Sequence, residues 1–160
     1  MTMLADHIRK EHKGIHPHLE ALLAAAHAVG EVPAEVLRDL TGGSLGFLQG
    51  ELLPHAAKED GVLYSAVERS YGADGTTDAM KREHREIERF VGELSELHGA
   101  IVTGGDPGPE TVRALRQVLY GLHAVISLHL KIEEEVYLPV LGDRLDPHAE
   151  HQMMVSQEHG

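Results

Sequence analysis

Apolar residues recur along this chain at helical spacing. Between residues 76 and 101, Met80, His84, Ile87, Val91, Leu94 and Leu97 fall on or near one stripe, the spacing that lets a helix bury one face. Leu4, Ile8, Ile15 and Leu19 keep the same period near the N-terminus. Three stretches interrupt the pattern: Gly30-Glu31-Val32-Pro33, Tyr71-Gly72-Ala73-Asp74-Gly75 and Gly104-Gly105-Asp106-Pro107-Gly108-Pro109. The pattern therefore predicts four helices, over residues 3–29, 34–70, 76–101 and 110–143. Short connections between long helices require antiparallel neighbours, so the expected fold is all-α, an up-down-up-down antiparallel four-helix bundle. The chain turns polar after Asp146-Pro147, which divides it into a bundle at 1–145 and a C-terminal tail at 146–160. Pro17, Pro54 and Pro139 fall inside the expected helices, where each ring removes a hydrogen bond and kinks the axis. A continuous kinked helix is expected across Pro17; the alternative begins the helix there and leaves His12 and His16 in a preceding turn.

The pattern also repeats. Arg9-Lys10-Glu11-His12-Lys13-Gly14-Ile15 returns as Lys81-Arg82-Glu83-His84-Arg85-Glu86-Ile87, and His55-Ala56-Ala57-Lys58-Glu59-Asp60-Gly61-Val62 returns as His129-Leu130-Lys131-Ile132-Glu133-Glu134-Glu135-Val136. Each half thus carries a lone histidine and then a His-x-x-x-Glu pair, the signature of a duplicated helical hairpin. Residues four apart on a helix project from one face, so two such hairpins can converge their imidazoles and carboxylates on a shared point.

Composition narrows what that point can be. With 160 residues the chain is one domain, and 42% hydrophobic content with only 4% aromatics means a core of Leu, Val, Ile and Ala. The formal charge of -12 and the lack of a Lys/Arg stripe argue against a nucleic-acid partner. The N-terminus lacks a secretory pattern and no window reaches the roughly 18 apolar residues of a membrane span, so a cytoplasmic protein without a membrane partner is expected. Cysteine is absent, which leaves only nitrogen and oxygen ligands for any metal. The sequence does not set the oligomeric state.

Thirteen histidines are present, and most have no place in the repeat. His7, His27, His98 and His123 have no partner in the other half, His18 lies roughly 240° round the helix from His12, and His148, His151 and His159 fall in the tail. His12, His55, Glu59, His84, His129 and Glu133 are the candidate metal ligands. Leu48, Leu52, Leu122, Val125 and Ile126, one turn before the His-x-x-x-Glu pairs, make that face core-directed, and buried glutamates there are costly unless a cation is bound. Four imidazoles, two bridging carboxylates and an oxo or hydroxo bridge fill roughly ten of twelve positions around two octahedral ions, which suits iron or manganese better than zinc. No histidine has a glutamate three residues before it, so the ferritin-like pattern is excluded.

The order His12, His55-x-x-x-Glu59, His84, His129-x-x-x-Glu133, one element per helix, resembles the hemerythrin-like (HHE cation-binding) family over residues 4–142. The run Glu134 to Pro139, Leu53-Pro54-His55 and Val62-Leu63-Tyr64 are similar to that family's metal helices. The resemblance implies a non-haem di-iron centre bridged by two carboxylates and oxygen, with reversible O2 binding in some members and sensing, peroxide or nitric oxide chemistry, or iron handling in others.

This chain departs from that family at two places. True hemerythrins carry a second histidine one turn after the third-helix ligand, where this chain has Glu88, while the first helix gains His16 at the corresponding position of the repeat. His16 and Glu88 are accordingly candidate ligands, Glu88 reading equally well as a surface carboxylate beside Arg85 and Arg89. Glu51, one turn before His55, and Tyr137, one turn after Glu133, are candidates to touch the ligands from outside; Tyr137 also reads as a core aromatic. The expected function is binding or sensing of O2, nitric oxide or peroxide in a pocket walled by Ile8, Ile15, Leu19, Ile87, Val91, Leu122 and Val125. The alternative is a di-iron enzyme that decomposes peroxide, reduces nitric oxide or oxygenates a small molecule with electrons from a partner protein.

Overall fold

Four helical rods form where the period and its breaks place them. The computed structural model describes residues 3–141, so the expected tail, with His148, His151 and His159, lies outside the described residues. The first rod is α1 (Met3–Ala28), and the second runs through α2 (Ala34–Phe47), α3 (Leu53–Lys58) and α4 (Tyr64–Tyr71). The third is α5 (Asp78–Gly104), and the fourth joins α6 (Pro109–Ile132) to α7 (Leu138–Leu141). The breaks follow backbone chemistry: Gly72 ends α4 at φ 69° and Gly105 follows α5 at φ 78°, conformations that favour glycine, and Pro109 opens α6 where its missing N–H costs nothing. α1 packs on α2 and α6, and α5 packs on the same two, which makes an up-down-up-down antiparallel four-helix bundle. Among the described residues there is no strand, and no helix is long and apolar enough to cross a membrane.

The second and fourth rods are not the continuous α-helices expected at 34–70 and 110–143. Wide π turns interrupt them at Leu48–Leu52, Glu59–Leu63 and Glu133–Tyr137. Two of these explain the prolines. A proline ring clashes with the carbonyl four residues earlier, and those carbonyls belong to Gly50 for Pro54 and Glu135 for Pro139, both inside a π turn where the backbone is displaced. α1 runs through Pro17 without such a turn, as the apolar period required.

The core is split in two. One apolar cluster, including Ile15, Leu19, Leu22, Leu48, Ile87 and Leu119, fills one part of the bundle. A second, including Leu4, Ile8, Leu63, Met80 and Leu138, fills the other. Along α1 the order is Ile8, His12, Ile15, and along α5 it is Met80, His84, Ile87, so a polar layer lies between two apolar plugs. The apolar wall expected around the site is thus contributed from both sides of that layer.

Candidate metal centre

One polar side chain enters this layer from each of α1, α3, α5 and α6, and two more from the π turns. His12, His55, Glu59, His84, His129 and Glu133 are all buried, Glu133 at 0% and Glu59 at 1% exposure. Their ligand atoms fall into two groups: His12, His55, Glu59 and Glu133, and His84, His129, Glu59 and Glu133, each with all its ligand atoms within 4.8 Å of one another. The two glutamates belong to both. His12 Nε2 lies 3.1 Å from Glu133 Oε2 and His55 Nε2 3.3 Å from Glu59 Oε1. On the other side His129 Nε2 lies 3.0 Å from Glu133 Oε1 and His84 Nε2 3.4 Å from Glu59 Oε1.

Each of the four imidazoles is held from behind by its own carboxylate. His55 Nδ1–H donates to Glu11 at 2.9 Å, His129 to Glu83 at 2.8 Å, His84 to Asp60 at 2.9 Å and His12 to Glu134 at 3.0 Å. An ionised carboxylate only accepts, so Nδ1 carries the proton and every Nε2 is turned inward as a potential donor to a cation. These four acids obey the repeat, Glu11 pairing with Glu83 and Asp60 with Glu134, each beside a candidate ligand in the chain. Their places in the repeated strings were the signal for them, but which histidine each one reaches depends on helix packing. Replacing Glu83 or Glu11 by alanine is expected to weaken metal affinity by about 10- to 100-fold in a competition titration, and Glu51→Ala to leave it unchanged.

The electrostatics of the layer require a positive charge. Burial alone would lower the pKa values of His12, His55 and His129, but the surrounding carboxylates overcome it. Glu133 and Glu59 raise His12 to about 9, Glu11 and Glu59 raise His55 to about 10, and Glu133, Glu59 and Glu83 raise His129 to about 11. Glu59 is fully buried, which would push it up, yet the four imidazoles around it hold it well below the usual carboxylate range. Protons alone satisfy the layer badly: His12 Nε2, His55 Nε2, both Glu59 oxygens and Glu133 Oε2 are buried without a hydrogen-bond partner. Two cations sharing the glutamates would satisfy all five, and the nitrogen and oxygen donor set fits them.

Four expected positions fall elsewhere. His16 and Glu88 are exposed. Each sits roughly 80–90° from the centre of its helix's buried stripe, so being one turn from a ligand does not bring it inward. Glu51 is also exposed, 3.8 Å from His18, which stacks on Phe47 rather than joining the cluster. Tyr137 takes its other expected role, a core aromatic in the apolar cluster with Leu63 and Leu138, and donates its hydroxyl to the Thr76 carbonyl at 2.9 Å rather than to a ligand.

Tyr64 occupies the place sought for Tyr137. Its hydroxyl donates to Glu133 Oε1 at 2.5 Å and lies 3.2 Å from both His84 Nε2 and His129 Nε2. Burial and the neighbouring Glu133 and Glu59 raise its pKa, so without a cation the phenol is neutral. The reason for the exchange is the π turn. In an α-helix, residue 64 would lie about 140° from residue 59, but the wide turn bonds Tyr64 N–H to Glu59 O and brings the fifth residue back over the first. The same turn after Glu133 carries Tyr137 off that face and puts Leu138 there.

Comparison with known proteins points to a cation-binding family. The hemerythrin HHE cation binding domain matches residues 3–141. The chain is 30% identical over 97 residues to the iron-sulfur cluster repair protein DnrN of Neisseria gonorrhoeae, a match covering 59% of this chain and 62% of that protein's length. No solved structure matches.

Proposed function

This chain belongs to the hemerythrin HHE cation-binding family, and we propose that it holds two iron ions between Glu59 and Glu133 and there binds or senses O2, nitric oxide or peroxide. The observation that supports this reading is the sharing of both glutamates between two four-residue groups, each completed by its own pair of histidines. His12 and His55 would hold one ion, His84 and His129 the other, and the carboxylates would bridge them. Iron at these positions supplies one-electron redox chemistry and coordination positions open to a diatomic ligand; manganese fits the same donors. The protein's contribution is orientation and exclusion of water. Glu11, Asp60, Glu83 and Glu134 fix the imidazole tautomers, and the two apolar plugs keep bulk solvent from a bound ligand.

The relative named as an iron-sulfur cluster repair protein favours a second reading, in which the same centre turns over in cluster repair with electrons from a partner protein. Anaerobic reconstitution with ferrous iron, followed by metal analysis and optical spectra, tests the first. The expected result is about two irons per chain and a near-ultraviolet and visible spectrum that changes on adding O2 or nitric oxide. A single tightly bound zinc and a colourless protein indifferent to both gases would overturn it. Catalytic turnover with an added reductant, rather than stoichiometric binding, would select the second reading.

A further inference from the structure

The two halves of the centre differ in donor chemistry at one position, since the matched carboxylates Asp60 and Glu134 differ only in length. Offsets of 72 and 74 residues pair His12 with His84, His55 with His129 and Glu59 with Glu133. The offset of 74 also pairs Tyr64 with Leu138. Both follow a π turn that begins at one of the shared glutamates, and both are bonded through their backbone N–H to that glutamate's carbonyl. Tyr64 faces His84, His129 and Glu133; the repeat assigns Leu138 the corresponding place toward His12, His55 and Glu59. Leu138 is buried in the same apolar cluster as Ile8 and offers no donor atom.

The spacing between Tyr64 and the two imidazoles is that of neighbouring ligands on one ion. Its oxygen is 3.2 Å from both imidazole Nε2 atoms, which are 2.9 Å from each other, and 2.5 Å from Glu133 Oε1, itself 3.0 Å from His129 Nε2. With metal–ligand bonds of about 2.1 Å, neighbouring ligand atoms at right angles stand about 3 Å apart. We propose that Tyr64 is a further metal ligand, a phenolate on the ion held by His84 and His129, and that small external ligands are therefore directed to the ion held by His12 and His55. The inference rests on the two-metal reading above. On loading, the phenolic O–H bond breaks, the oxygen–metal bond forms, the proton leaves to solvent and no electron moves. One ion then has five protein donors and the other four, so the duplicated bundle becomes functionally one-sided.

The test uses the full chain loaded with ferric iron and, separately, with redox-silent gallium(III). Metal analysis comes first, because fewer than two ions per wild-type chain overturns the two-metal reading itself. With two ions bound, wild type and Tyr137→Phe are expected to show a visible phenolate-to-iron band with resonance-enhanced tyrosine ring modes. Tyr64→Phe should keep both irons and lose that signature. Gallium provides a readout in unmodified protein: its binding should raise the near-ultraviolet difference band of an ionised tyrosine, except in Tyr64→Phe. Azide titration of the ferric protein should rise from about one per chain in wild type to about two in Tyr64→Phe, through the position vacated by the phenolate. Two bound ions with no phenolate signature in wild type, or a signature that survives in Tyr64→Phe, overturns the assignment while leaving the two-metal reading in place.

Discussion

Glu133→Ala, like Glu59→Ala, is expected to take metal content from about two ions per chain to near none, measured by elemental analysis after desalting. Each of these carboxylates stands in both four-residue groups, so removing one strips an oxygen from both positions at once. A single histidine serves only one group, and His55→Ala should therefore weaken one position more than the other. His16→Ala and Glu88→Ala, at exposed positions, should leave loading at the wild-type level. Far-ultraviolet circular dichroism separates lost metal from lost fold, since the two apolar clusters stand on either side of the substituted layer. Retention of one full ion in Glu133→Ala would mean that the carboxylates are not shared.

Removing the metal is expected to lower the melting temperature by roughly 10 °C or more, and to change how stability depends on pH. At free metal about a thousandfold above the dissociation constant, binding contributes about 4 kcal/mol per site, and each kcal/mol moves the midpoint of a chain this size by about 2–4 °C. In the metal-free protein His12, His55 and His129 have pKa values near 9, 10 and 11, all above the ordinary value of 6.5. A group raised on folding stabilises fully below its unfolded pKa and loses that contribution as pH climbs through the folded value. The metal-free protein should therefore weaken steadily from about pH 6.5 to about pH 11. Glu59 is depressed instead, so its contribution is present above about pH 4.5 and fades as pH falls. Metal binding has the opposite dependence on the imidazoles, because it must displace their Nε2 protons and grows stronger as pH rises through the same interval. The gap between loaded and chelated melting temperatures should thus widen from pH 6 to pH 9 in calorimetric scans. Parallel profiles would mean that these imidazoles do not exchange protons for metal.

Much of this molecule is legible in its sequence because helices obey local rules. A period of 3.6 residues and the glycine and proline breaks give the four rods, since the forces that form and end a helix act between residues a few positions apart. The internal repeat singles out His12, His55, Glu59, His84, His129 and Glu133, because duplicated hairpins place equivalent side chains on equivalent faces. The same local reasoning goes astray where it assumes an unbroken α-helix. Tyr137 lies four residues after Glu133 and would share its face, yet the π turn at Glu133–Tyr137 carries it to Thr76. The matching turn at Glu59–Leu63 delivers Tyr64 instead.

His16 and Glu88 show a different boundary: helical spacing fixes an angle round one axis, but whether that angle is inward depends on where the neighbouring helices stand. The pairing of Glu11, Asp60, Glu83 and Glu134 with particular histidines crosses between rods, up to 122 residues apart in the chain for His12 and Glu134. Sequence alone therefore determined the rods, their order and the six repeated polar residues. Only the tertiary structure decided which side chains complete the centre, because one extra residue in a helical turn re-aims everything after it, and a partner on another helix has no local signature.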